Sequence, residues 1–81
     1  MTLSFERFPV LNDYTEGFMN PWDEDPDFPL PGEEISGDQV TWFYNFILDE
    51  MAAAHLTLED DEVLSELRIE IELWRIEHAT T

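Results

Sequence analysis

The chain has 81 residues, which is enough for one small domain. It carries 20 Asp and Glu against three Arg and no Lys, so its formal net charge is −17. Nucleic acids and anionic membranes are therefore poor direct partners, and we expect a basic partner. The absence of cysteine excludes disulfides and thiolate metal sites. A hydrophobic content of 43%, with 14% aromatic residues, is nevertheless sufficient for a folded core.

The N-terminal half, residues 1–35, is predicted to be an extended segment rich in proline and aromatic residues. It contains all five prolines, and its apolar residues follow no sustained period. Proline disfavours helix at the residue before it. One short strand is possible within TLSFERF, where side chains alternate, and Pro9 is expected to end it. We expect this half to pack across the helices that follow.

The C-terminal half is predicted to be a two-helix hairpin, with helices at about 37–55 and 58–78. Ser36 and Gln39 have the spacing of a capping box, and apolar residues then recur at helical intervals. Residues 67–73 also fit the alternation of a strand, but their Glu, Leu and Arg favour helix. The predicted fold class is therefore mainly α, in a single domain covering 1–81.

A second apolar stripe on the last helix is formed by Ile69, Leu73 and Ile76. These residues lie on a different side of the helix from the main stripe of Val63, Leu64, Leu67, Ile71 and Trp74. The second stripe needs to be covered by the N-terminal half, by a second copy of the chain or by a partner. A homodimer through this stripe therefore remains open.

Sequence patterns give little support for an enzyme. The two histidines, His55 and His78, lie near the ends of predicted helices, where a structural role is expected. The chain has no glycine-rich phosphate loop, no His-x-x-x-His pair and no lysine for Schiff-base chemistry. We expect neither catalysis nor a cofactor.

The most unusual stretch is NPWDEDPDFPLPGEE, residues 20–34, which we call the acidic segment. It contains six carboxylates and no basic residue. Asp23, Asp25, Asp27 and Glu34 match the carboxylate spacing of an EF-hand calcium loop. Phe28 replaces the required glycine, however, and three prolines interrupt the window, so calcium is the third-ranked interpretation. A disordered acidic interaction segment is another, although it does not account for the two capped helices.

Charge mimicry of a nucleic acid is the preferred interpretation. Alternate residues of an extended chain are about 6 to 7 Å apart, close to the spacing of phosphates along one strand. Glu62, Glu66 and Glu70 rise by about 6 Å per step on the last helix. Trp22 and Phe28, together with Leu30, are expected to hold the segment, and the first two are also candidate anchors for a partner. The predicted partner-binding residues are Trp22, Asp23, Glu24, Asp25, Asp27, Phe28, Glu33, Glu34, Glu59, Glu62, Glu66 and Glu70.

In being short, acidic, poor in lysine, free of cysteine and rich in aromatic residues, the whole chain resembles the small DNA-mimic inhibitors of bacteriophages and mobile elements. These include anti-CRISPR and anti-restriction proteins. The resemblance is one of overall character and not of a shared motif. It implies an inhibitor that occupies the DNA- or RNA-binding groove of a CRISPR effector, a restriction enzyme or a DNA-repair enzyme.

Two further expectations complete the functional prediction. The alternative function is that of an acidic adaptor or chaperone that binds a basic protein without imitating nucleic acid. The sequence shows neither a membrane span nor a secretory signal, so we expect a cytoplasmic protein, located in the bacterial host cell if a phage encodes it.

Overall fold

Helices account for most of the chain in the computed structural model, which describes residues 2–17, 19–54 and 61–79. In chain order they are α1 (Pro9–Gly17), α2 (Pro21–Glu24), α3 (Gly37–Ala54) and α4 (Asp61–Ala79). The predicted mainly α fold is confirmed. The short strand that was possible within TLSFERF does not form, since β-pairing within the described residues is limited to one isolated antiparallel bridge between Thr2 and Glu34.

The predicted capping box begins α3. The backbone N–H of Gln39 donates to the Ser36 hydroxyl oxygen at 3.3 Å, and the backbone N–H of Ser36 donates to the Gln39 side-chain oxygen at 2.9 Å. Two backbone donors at the helix start are thereby satisfied by side chains three positions apart in the chain. This helix start is specified locally.

Helices α3 and α4 form the predicted hairpin. Phe43, near the start of α3, lies 4.7 Å from Trp74, near the end of α4, measured between ring centroids. The neighbouring Tyr44 hydroxyl donates to Glu72, so the two helices run in opposite directions. Residues 67–73 are helical, as favoured from their composition. The connection at 55–60, with His55 and the predicted helix cap Thr57, lies outside the described residues.

The N-terminal half is not simply extended, because it contains α1 and α2. Pro9 begins α1 where we expected it to end a strand. A proline at the first helical position costs little, since its missing N–H is one that a helix leaves unpaired there anyway. Pro21 begins α2 in the same way, after Asn20, whose side chain accepts the Trp22 N–H at 2.9 Å. Our expectation took into account that proline disfavours helix at the residue before it. It neglected the preference of proline for the first position of a helix.

One aromatic and aliphatic core joins the three described stretches of the chain. Leu3, Phe5, Phe8 and Leu11 enter it from the N-terminal region, and Phe28 and Ile35 from the acidic segment and its end. Phe5 lies 5.6 Å from Phe43 and 6.3 Å from Trp74. The core contribution of α4 comes from Leu67, Ile71 and Trp74, which are fully buried.

His78 belongs to this core, in agreement with a structural role. Its ring is buried and stacks on Trp74 at 4.4 Å, and its Nδ1 lies 2.9 Å from the Trp74 carbonyl oxygen. A carbonyl oxygen can only accept, so Nδ1 carries the proton in this contact. Among the described residues, His78 Nε2 and Trp74 Nε1 are buried without a hydrogen-bond partner.

Candidate acidic interface

The acidic segment is attached to α3 through Phe28. The Phe28 side chain is 2% exposed, and its ring lies 5.4 Å from Phe43 and 5.3 Å from Trp42. Trp22 packs edge-on against Phe28 at 6.1 Å, and its indole N–H donates to the Pro29 carbonyl at 3.1 Å. Because Phe28 is buried, it anchors the segment to the protein's own core. It is not a surface anchor for a partner, and that part of our expectation is wrong.

Leu30 does not share this role. It is 57% exposed, so the expectation that it would tie the segment down is also wrong. Trp22 is half-buried. Part of its ring therefore remains available at the surface beside the carboxylates of α2.

The C-terminal end of the segment is fixed by a tight turn. The Glu33 N–H donates to the Leu30 carbonyl at 2.9 Å, and Gly32 between them has a φ of 95°. Pro31 followed by a glycine of positive φ is the pattern of a type II turn. The turn is joined to the N-terminus, since Leu3 exchanges two backbone hydrogen bonds with Gly32 and Glu33. The C-terminal end of the segment is therefore held against the N-terminal region.

The carboxylates of the segment point outward from this scaffold. Asp25 is half-buried, and the other five are exposed: Asp23, Glu24, Asp27, Glu33 and Glu34. Asp25 accepts the Asp27 N–H at 3.1 Å, and Glu33 accepts the Leu30 N–H at 2.8 Å. These bonds stiffen the backbone from within the segment.

The geometry differs from the extended array that we expected. Asp23 and Glu24 lie in α2, Asp25 ends that helix, and Asp27 follows in a turn. The regular spacing of alternate residues in an extended chain therefore does not apply. The carboxylates of the segment nevertheless face outward, and hydrogen bonds fix the backbone that carries them.

The predicted carboxylates of α4 divide into two kinds. Glu62 and Glu66 are exposed. Glu70 instead turns inward, where its two oxygens accept the Val10 N–H at 3.3 Å and the Leu11 N–H at 2.9 Å. It caps the start of α1, a structural role that the sequence prediction did not include. Glu59 lies outside the described residues.

Sequence reasoning did not include Asp38 among the candidate residues. It is exposed in the first turn of α3, four residues after Glu34. An acidic residue is favourable at that position because of the positive end of the helix dipole. This favourable position is sufficient to explain an acidic residue there, so the sequence showed no sign of a further role. Asp38 nevertheless extends the run of exposed acids that begins in the acidic segment.

The three cations lie away from the acidic segment in the sequence and near α4 in the fold. Arg7 pairs with Glu77 at 2.6 Å, and Arg75 lies 3.4 Å from Glu72 and 4.4 Å from the centre of the Tyr44 ring. Sixteen of the 20 acids fall between Arg7 and Arg68, an interval without lysine or arginine. All three arginines therefore lie on α4 or pair with a residue of α4.

The pKa of Tyr44 is raised above its ordinary value. The main cause is the hydrogen bond that its hydroxyl donates to Glu72, which is lost when the phenol ionises. Partial burial and the negative charge of Glu72 act in the same direction, while Arg75 and Arg68 oppose them. Tyr44 and Glu72 thus form a structural link between α3 and α4.

Other kinds of site receive no support from the described residues. Among them, no group of three or more His, Cys, Asp or Glu side chains converges as a metal site would require. In the same part of the chain, no helix is both long and apolar enough to cross a bilayer.

Comparisons with known proteins gave no relatives. Models of protein families, characterised protein sequences and solved structures were each compared with this chain, and none matched.

Proposed function

We propose that this protein is an acidic inhibitor that occupies the basic DNA- or RNA-binding groove of another protein in place of the nucleic acid. The observation that carries the proposal is the uncompensated charge between Arg7 and Arg68, sixteen acids without a lysine or arginine. Within that interval, every acidic side chain that the structure describes is exposed or half-buried.

The order of the chain supports an inhibitor with a defined shape. The radius of gyration is 12.0 Å, close to the roughly 12 Å expected of a folded chain of this length. The apolar core accounts for this compactness. No described acidic side chain is buried in that core. The carboxylates of the acidic segment therefore lie at the surface, where a partner can reach them, and the core is built without them.

The acidic segment is the proposed centre of the interface. Phe28 holds its middle and the turn at Gly32 holds its end, so little chain entropy is lost when a partner binds. Asp23, Glu24 and Asp27 would pair with lysine and arginine side chains that otherwise contact phosphates. The exposed part of Trp22 would add apolar contact or stack on a guanidinium group.

The mechanism would be occlusion assisted by long-range attraction. A strongly negative protein approaching a basic groove associates rapidly, and this rate falls as salt screens the charges. Once bound, the protein excludes nucleic acid from the groove by volume and by neutralising its cations. The target would be a nucleic-acid-processing enzyme such as a CRISPR effector, a restriction enzyme or a repair enzyme.

The experiment begins with capture of binding proteins from a bacterial lysate, followed by competition with labelled duplex DNA or RNA on each purified candidate. The test variant is Asp23→Asn/Asp25→Asn/Asp27→Asn. In this variant the asparagine at position 25 keeps a side-chain oxygen, which can still accept the backbone N–H of residue 27. The matched control is Glu6→Gln/Asp13→Asn/Glu16→Gln, which removes the same charge from exposed positions outside the segment.

We expect the protein to displace nucleic acid from its target and the test variant to associate at least about tenfold more slowly than the control variant. Equal association rates of the two variants would show that the acidic segment is not part of the interface. Salt-sensitive binding to a basic protein, without displacement of nucleic acid, would indicate the adaptor or chaperone function instead.

A further inference from the structure

The outer face of α4 carries three apolar side chains that no described part of the chain covers. Ile69, Leu73 and Ile76 are 61%, 53% and 54% exposed. Their spacing of four and three residues places them along one face of the helix, which we call the α4 ridge. Leu67, Ile71 and Trp74 occupy the opposite, buried face. The helix is therefore apolar on two sides, and only one of them serves the core.

Charged residues of both signs border the α4 ridge, because the exposed Arg68 and Arg75 directly precede Ile69 and Ile76 in the chain. Glu66 is exposed and precedes Ile69 by three residues, so it lies at the N-terminal end of the same face. Glu72 lies beside Leu73 and Ile76 at the other edge, where it accepts the Tyr44 hydroxyl and pairs with Arg75. The preference for a partner with basic surroundings therefore comes from the net charge of the whole protein, −17, to which an approaching partner is exposed.

A second copy of the chain fits this face poorly. Two copies would bring together formal charges of −17 each, which repel each other. Three half-exposed side chains also form a patch on the order of a few hundred Å², whereas a standard stable interface buries about 800 Å² per partner. A single short helix needs less contact area than a second folded copy and brings no such repulsion if it is basic.

We propose that the α4 ridge binds a basic amphipathic helix of a partner protein. Such a helix would present leucine-like side chains at i, i+4 and i+7, flanked by lysine or arginine. A helix is the fitting shape because a ridge of side chains at this spacing packs into the groove of a second helix. The proposal concerns a surface separate from the acidic segment and does not depend on nucleic-acid mimicry.

Two synthetic helical peptides of identical composition test the proposal. In the first, leucines lie along one face and lysines occupy the others; in the second, the same leucines are distributed around the helix. Both peptides have the same charge, so general attraction to an acidic protein affects them equally. Binding is measured by fluorescence anisotropy near physiological salt. We expect the first peptide to bind at least about tenfold more tightly than the second.

The ridge variant is Ile69→Ser/Leu73→Ser/Ile76→Ser, and Leu73→Gln is a milder version should the triple change affect folding. Both should bring the affinity ratio of the two peptides close to one. The matched control, Leu30→Ser, removes an equally exposed apolar side chain elsewhere and should leave the ratio unchanged.

Three results would overturn the proposal. The first is equal affinity of the native protein for both peptides, and the second is a ratio that survives the ridge substitutions. The third is a concentration-dependent dimer in sedimentation that the ridge substitutions dissolve, which would identify a second copy as the occupant.

Discussion

The acidic segment and α4 are both rich in carboxylates, but they use them differently. On α4, Glu70 caps α1, Glu72 accepts the Tyr44 hydroxyl and Glu77 pairs with Arg7. In the acidic segment, Asp25 and Glu33 accept nearby backbone N–H groups of the segment itself, and the neighbouring carboxylates are exposed. A high local density of acids therefore does not by itself define an interface. The partners of each carboxylate decide whether it stabilises the fold or faces solvent.

The largest expected effect comes from detaching the acidic segment from the core. Phe28→Ala removes a buried aromatic side chain, which typically costs about 3–5 kcal/mol, a large share of the stability of a small domain. Unfolding by urea, followed by tryptophan fluorescence, measures the loss. Leu30→Ala is the control from the same segment, and it should change the free energy of unfolding by less than about 0.5 kcal/mol. Similar losses for the two variants would contradict the burial of Phe28.

Removal of the internal carboxylate of α4 should have the next largest effect. Glu70→Ala leaves the first amides of α1 without their acceptor, at an expected cost of about 1–2 kcal/mol. Faster hydrogen exchange at the Val10 and Leu11 amides would locate the loss. Glu66→Ala is the control, because it removes an exposed carboxylate one turn away. It should be neutral or slightly stabilising, since it reduces repulsion in a protein of net charge −17.

The turn that ends the acidic segment provides a smaller test. Gly32 has a φ of 95°, so alanine there is strained, and Gly32→Ala should cost about 1 kcal/mol. Gly37→Ala is the matched control at the start of α3, where an added Cβ meets nothing within 4 Å. It should be neutral or stabilise the protein, because alanine restricts the unfolded chain. Thermal unfolding of the pair distinguishes backbone strain from the loss of a glycine in general.

The smallest effect concerns the titration of Tyr44, measured by absorbance near 295 nm. Its raised pKa means that the folded state holds the phenolic proton more tightly than the unfolded state. The resulting stabilisation is complete below the unfolded pKa near 10 and is lost as pH rises through the higher folded value. In Glu72→Gln the charge is removed, and the pKa of Tyr44 should move back toward 10. An unchanged pKa of Tyr44 in this variant would show that the hydrogen bond between Tyr44 and Glu72 does not form in solution.

Prediction from the sequence succeeded where a few neighbouring residues contain all the information. Ser36 and Gln39 specify the start of α3 within one turn, and the apolar period of α4 outweighed the strand-like alternation at 67–73. It failed at Pro9 and Pro21, which begin helices, and at the regular carboxylate spacing expected of the acidic segment. The local rules for proline permit both outcomes, and the surrounding structure selects between them.

The sequence alone determined the mainly α fold, the hairpin of α3 and α4 and the excess of negative charge, because periodicity, capping and composition are local or additive properties. Only the tertiary structure decided which acids serve the fold and which apolar residues serve the core. Glu70 finds its amide partners 59 and 60 residues away in the chain, and Phe28 is buried while Ile69, Leu73 and Ile76 stay exposed. These outcomes depend on how distant segments pack together, and no local pattern encodes that arrangement.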